Sequence, residues 1–124
     1  MKKIKVLVVD DEPMIREILE KILSINDFEV ITVSSADEGL IYFKENLNDI
    51  QLITTDYSMP GMDLKQFIFN INILKKDVNI IIISGLSKDY IHKNIHKDKV
   101  FDIIEKPFSS NELLKSVNNA VKWQ

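Results

Sequence analysis

The run Leu52-Ile53-Thr54-Thr55-Asp56-Tyr57-Ser58-Met59-Pro60-Gly61-Met62-Asp63 decides how this chain is read. An apolar stretch stops abruptly at a single carboxylate, Asp56. Met59-Pro60-Gly61 follows, where proline fixes φ and glycine permits φ > 0, so the chain must turn. A helical pattern restarts at Asp63. A lone acid at the end of a buried strand and the head of a turn is badly placed for packing and well placed for chemistry.

Upstream, Ile4–Val9 is almost wholly β-branched or aliphatic, as a strand buried on both faces should be. It stops at Asp10-Asp11. Pro13 fits a first helical position, and Ile15, Ile18, Leu19, Ile22 and Leu23 repeat at helical spacing until Asn26-Asp27. Phe28–Val33 reads as a second strand. Ser35 and Glu38 form a capping box for a second helix striped by Ala36, Leu40, Phe43 and Leu47. The third strand is expected over 51–55. Downstream, Leu64, Phe67, Ile68, Ile71 and Leu74 mark a third helix. Residues 79–83, the most apolar run, read as a central strand ending at Ser84-Gly85. A fourth helix is expected over 87–99, on a thin stripe of Tyr90, Ile91 and Ile95. A fifth strand over 100–104 ends at Glu105-Lys106-Pro107. Ser109 and Glu112 open a last helix that turns Leu113, Val117, Ala120 and Val121 inward. Five alternations of strand and helix predict an α/β fold: one doubly wound, five-stranded parallel sheet with helices on both faces.

The 124 residues suit one domain, 1–124, with a core large enough to need no disulfide. The absence of cysteine excludes disulfide scaffolds, thiolate zinc sites and thiol catalysis, and fits a reducing compartment. A net charge of -3 argues against direct nucleic-acid binding. Met1-Lys2-Lys3 imitates the start of a secretory signal, but the apolar run after it is too short and meets Asp10-Asp11-Glu12. No stretch approaches a membrane span. A soluble, cytoplasmic domain is expected.

In open parallel sheets, ligands bind beyond the carboxyl ends of the strands, where the strand order reverses. The residues expected there are Asp10, Asp11, Asp56, Ser84 and Lys106. Clustered carboxylates repel, and a divalent cation removes that penalty. Oxygen ligands without histidine or cysteine favour a hard ion, most simply Mg²⁺ beside a phosphate. Asp11 would bind it directly, Asp10 largely through water, and Asp56 with one oxygen while the other attacks phosphorus. Lys106 can pair with Asp56 and then with phosphoryl oxygens, to which the Ser84 hydroxyl can also donate. The carboxylate would act as a covalent nucleophile.

Asp10-Asp11, Asp56 with Met59-Pro60-Gly61 and Asp63, Ser84-Gly85 and Lys106-Pro107-Phe108 together resemble the receiver domain of bacterial two-component response regulators. The resemblance covers the whole chain in order. It implies a flavodoxin-like fold with strand order 2-1-3-4-5, and Mg²⁺-dependent phosphorylation of Asp56 from a phosphohistidine on a sensor histidine kinase or a histidine phosphotransfer protein. It also implies the Ser58 backbone carbonyl as a metal ligand, a cis Lys106–Pro107 bond, and a switching surface around the fourth helix, fifth strand and fifth helix. That surface would serve a downstream output protein or a fused output domain. Two positions depart from the pattern. Ile103 stands where the family usually carries an aromatic, so switching must use Ser84 and its loop differently. Leu64 replaces a usual glycine. Leu86 and Ser58 sit where the family tunes dephosphorylation, and Leu86 cannot position a water, so a long-lived phosphoryl group is expected.

Taken singly, several of these residues have plainer readings. Asp10-Asp11 could be a helix N-terminal acid pair, Asp56 a turn aspartate, and Lys106 a solvated lysine. His92 and His96, four apart, could hold a transition metal but lack a third ligand and read as a solvated face. Lys88, Lys93, Lys97 and Lys99 make the same region basic, which suits either a solvated face or an acidic partner. Trp123 could pack on the domain or lead onward. Two further functions stand beside the switch: a Mg²⁺-dependent phosphatase or phosphotransferase with an aspartyl nucleophile, and a degenerate receiver that only binds.

Overall fold

The computed structural model describes residues 3–96 and 99–122, so Lys97 and Trp123 lie outside the described residues. The five apolar runs become β1 (Ile4–Val9), β2 (Phe28–Val33), β3 (Ile50–Thr55), β4 (Asn79–Ser84) and β5 (Asp102–Glu105). Between and after them run α1 (Pro13–Ile25), α2 (Ala36–Glu45), α3 (Leu64–Leu74), α4 (Lys88–Asn94) and α5 (Ser110–Lys122). All strand pairs are parallel, in the order β2-β1-β3-β4-β5. This is the flavodoxin-like order expected, and it reverses between β1 and β3, where a crevice opens.

Alternation of side chains along each strand divides the core into two layers. Leu7, Val9, Ile53, Ile80 and Ile82 meet α2, α3 and α4 through Phe43, Phe67, Ile71 and Ile91. Val6, Val8, Leu52, Ile81 and Ile83 meet α1 and α5 through Leu19, Leu23, Leu113 and Val117. Both Ile50 and Ile53 face the first layer because the β1–β3 register shifts between Lys5 and Val6. The extra residue, Gln51, accepts the Lys5 N–H on its side-chain oxygen at 2.9 Å. No helix among the described residues is long and apolar enough to cross a membrane.

The caps follow the sequence with one exception. Pro13 opens α1, and Asp63 caps α3 by accepting the Gln66 N–H. Ser109 and Glu112 complete a reciprocal box at α5. At α2 only half of the box forms: Ser35 accepts the Glu38 N–H, but the Glu38 carboxylate takes the Ser34 hydroxyl instead.

The largest departures from the expected boundaries fall at the fourth helix and the fifth strand. The fourth helix was expected over 87–99, yet Ser87 is its cap and α4 ends at Asn94. Ile95 is extended (φ -133°, ψ 140°), which buries its side chain in the core without helical geometry. His92 and His96 therefore do not share a helix face. The fifth strand starts at Asp102, not Val100, because pairing with β4 begins at Ile81↔Asp102.

Gly61 holds the turn after β3 with φ +91°. A Cβ there would also lie 2.9 Å from the Asp37 carboxylate. Gly61→Ala should lower unfolding stability by about 1–2 kcal/mol, the usual cost of a left-handed non-glycine residue. The midpoint of urea unfolding checks this; an unchanged midpoint would contradict it.

Candidate acidic site at the strand ends

Each strand that feeds the crevice extends its ladder one peptide further. The Asp10 N–H donates to the Val33 carbonyl at 3.2 Å, Asp56 to Val9 at 3.1 Å, and Lys106 to Ser84 at 2.8 Å. Three residues that are distant in sequence are thus pinned by backbone bonds at one rim. Lys106–Pro107 is a cis peptide, as expected.

The Lys106 ammonium stands at the centre. Its Nζ lies 3.1 Å from Asp10 Oδ2, 3.1 Å from Glu12 Oε1 and 3.2 Å from Asp56 Oδ2. Three donors meet three carboxylates, and two of those acids are buried. The other oxygens of the two buried acids are also held: Asp10 Oδ1 accepts the Glu12 N–H at 2.9 Å, and Asp56 Oδ1 accepts the Tyr57 N–H at 2.7 Å. The Arg16 guanidinium donates to the Asp10 carbonyl at 2.7 Å, which ties the first turn of α1 to the rim.

Burial is the largest influence on the Asp10 carboxyl and pushes its pKa up; the Glu12 N–H and Lys106 pull it back without cancelling that, and the nearby Asp56 charge adds to the rise. Burial of the Lys106 amine works against its charge. Hydrogen bonds to Glu12 and Asp10 and the field of Asp56 outweigh it, and hold its pKa above the ordinary lysine value.

Asp10, Asp11, Glu12 and Asp56 present oxygens that all lie within 4.8 Å of one another. This donor set is carboxylate throughout and half-open to solvent, which fits a hard divalent cation that keeps some of its water. A cation there would also relieve the burial cost at Asp10. Among the described residues this acidic group is the one cluster able to hold a metal, and no third ligand joins His92 and His96.

The expected site residues divide accordingly. Asp10, Asp11, Asp56 and Lys106 come together. Ser84 is buried at the end of β4, but its hydroxyl oxygen accepts the Leu86 N–H at 3.2 Å and makes no bond to Asp56. Ser58 follows in the loop after β3. Ile103 is buried in the first core layer. Sequence reasoning passed over Glu12 and Arg16. The unbroken run Asp10-Asp11-Glu12 was the available signal for the first; Arg16 reaches the rim through a backbone carbonyl, which leaves no mark in the residue pattern. It also passed over the edge-to-face pair of Tyr57 and Tyr90, with ring centroids 6.0 Å apart, which links the residue after Asp56 to α4.

Comparison with known proteins agrees with this geometry. The family model for the response regulator receiver domain matches residues 6–118. A probable transcriptional regulator, ycf27, from Porphyra purpurea is 34% identical over 98% of this chain and 49% of its own length. A receiver domain from Clostridium thermocellum superposes with a TM-score of 0.87 at 32% identity, covering 95% of this chain and 94% of that one. The CheX-CheY-BeF3-Mg complex from Borrelia burgdorferi gives 0.85 at 28% identity, with 93% and 87% covered. The chain belongs to the response regulator receiver domain family and is homologous to two-component response regulators. It spans about half the length of the ycf27 relatives it matches.

The pKa of Asp10 gives a signed expectation for the metal-free protein. A carboxyl whose folded pKa lies above its unfolded value costs the fold nothing below about pH 3.8, and the cost appears as pH rises through the folded value. Asp10→Asn should therefore raise the Tm of chelator-treated protein at about pH 7, with the gain shrinking towards about pH 4. A lower Tm at neutral pH would contradict this.

Proposed function

We propose that Asp56 accepts a phosphoryl group from a phosphohistidine of a sensor histidine kinase or histidine phosphotransfer protein, and that the modification switches a partner-binding surface around α4, β5 and α5. One observation carries this reading: an ammonium, Lys106, within 3.2 Å of the buried Asp10 and Asp56 carboxylates at the reversal of strand order. A carboxylate oxygen of Asp56 would attack phosphorus. The P–N bond breaks, and its electron pair leaves on the imidazole nitrogen.

Mg²⁺ would be held by Asp10, Asp11, Asp56 and the Ser58 backbone carbonyl, and when bound would neutralise charge building on the transferred group. This chain's own residues do the rest. Lys106 is already charged and desolvated, and can exchange Asp56 for a phosphoryl oxygen without a proton moving. Ser84 can turn its hydroxyl to a phosphoryl oxygen and give up the Leu86 N–H.

Those exchanges offer a route to the surface that needs no aromatic at Ile103. Leu86 N–H rests on Ser84, and the Lys88 N–H, at the first turn of α4, rests on the Glu105 carboxylate at 2.8 Å. Drawing Ser84 and Lys106 towards a phosphoryl group disturbs both anchors of α4, and Tyr57–Tyr90 is a third link between the acceptor loop and that helix. Output would pass to a downstream protein or a fused output domain, with the chain catalysing only its own phosphorylation and dephosphorylation in the cytoplasm.

Incubation with Mg²⁺ and acetyl phosphate should place one hydroxylamine-labile phosphate on each chain, absent in Asp56→Asn and after chelation. Multiple turnover of the donor without accumulation would point to a hydrolase, and no labelling to a binding module. With Leu86 unable to position water, the label should persist well beyond seconds; a half-life of seconds would contradict that part.

A further inference from the structure

Away from the acidic rim, a groove runs along α3, bounded by α4 on one side and the segment 99–101 on the other. It comprises cavities of about 490 and 610 Å³ that share Phe69, Asn72 and Lys99. Its surface has three unusual properties. Phe69 and Ile73 are 63% and 65% exposed and Phe101 is 37% exposed, so large apolar side chains that could have been buried line an open trough. Its rim is cationic: Lys65 and Lys93 at one end, Lys99 in the middle and Lys76 at the other. No aspartate or glutamate is among the described residues lining it, although the chain carries a net charge of -3. Finally, Asn72 borders both cavities, and its side-chain amide nitrogen is buried behind the groove wall without a hydrogen-bond partner. A buried donor left unpaired is costly, and turning this side chain towards the groove would let a ligand's carbonyl or carboxylate pair with it.

We infer that this groove docks an acidic, apolar-faced helical segment of a partner protein. The charge sets the partner's polar groups as carboxylates, and the exposed aromatics require an apolar stripe opposite. From Lys65 to Leu74 the trough follows α3 for about 14 Å at helical rise, and it runs on past the helix end to Lys76, enough for about two to three turns of a docked helix. A small anion would leave Phe69 and Ile73 in water; a segment of that length covers them. The inference does not depend on Asp56 or on a metal.

The probe is a fluorescent helical peptide of about 15 residues, leucines at i, i+3, i+4 and i+7 and glutamates on the other positions. Its partner probe carries lysine for glutamate. The glutamate peptide should bind the full chain, and Asp56→Asn equally, several-fold more weakly as ionic strength rises from about 0.05 to 0.5 M. Phe69→Ser, on an exposed side chain, should cost at least about tenfold in Kd, and the double change Lys93→Glu with Lys99→Glu a similar factor. Asn72→Ala should weaken binding several-fold while leaving the urea midpoint unchanged or higher. Equal binding of the lysine peptide, binding that survives Phe69→Ser, or self-association of the chain that Phe69→Ser abolishes would each overturn the assignment, the last by making a second copy the occupant.

Discussion

One ammonium holds the functional end of this molecule together. Asp10, Glu12 and Asp56 leave the carboxyl ends of two adjacent strands, and without a cation between them their charges would drive the rim apart. Lys106 arrives from the far side of the sheet and meets all three at 3.1–3.2 Å. The geometry costs little to maintain because the backbone bonds that fix Asp10, Asp56 and Lys106 continue the sheet ladders. A pre-charged lysine on buried acids is a poor arrangement for stability alone, since apolar replacements of buried ion pairs are often neutral or better. It is a good arrangement for receiving an anion.

The sheet makes that rim possible. Strands buried on both faces need apolar residues along their length, which Val6–Val9 of β1 and Ile80–Ile83 of β4 supply, and so the polar residues of these strands collect towards their ends. Reversal of strand order then leaves the ends of β1 and β3 uncovered by a crossover connection. The shift at Gln51 is the one irregularity along this path, and it is satisfied locally by the Lys5 N–H.

Much of this was legible in the residues. The alternation of strand and helix, the turn at Gly61, the restart of helix at Asp63, the cap at Ser109 and the meeting of Asp10, Asp56 and Lys106 all follow from patterns that local chemistry enforces. The end of α4 was not legible. Ile91 and Ile95 are spaced as on a helix, yet Ile95 reaches the core from an extended backbone, and apolar spacing alone does not distinguish these routes. The start of β5 was misplaced for a related reason: Val100 packs against the core without pairing to β4. Glu12 was hidden by its neighbours, because an acid next to two expected ligands reads as the start of a helix. The groove along α3 was half visible, as a basic region, but Phe69 and Ile73 fall outside the stripe of Leu64, Phe67, Ile68, Ile71 and Leu74, and nothing in the residue pattern shows that they share a trough with Phe101.

The lysine-centred rim and the proposed magnesium site share the same carboxylates, so the two cations must compete. The most direct measurement is the Mg²⁺ dissociation constant, followed through backbone amide shifts, for the chain and for Lys106→Met. Removing the fixed positive charge should tighten Mg²⁺ binding several-fold, with the shifts centred on Asp10, Asp11 and Asp56 in both proteins. Unchanged or weaker affinity in Lys106→Met, or shifts centred elsewhere, would contradict the account.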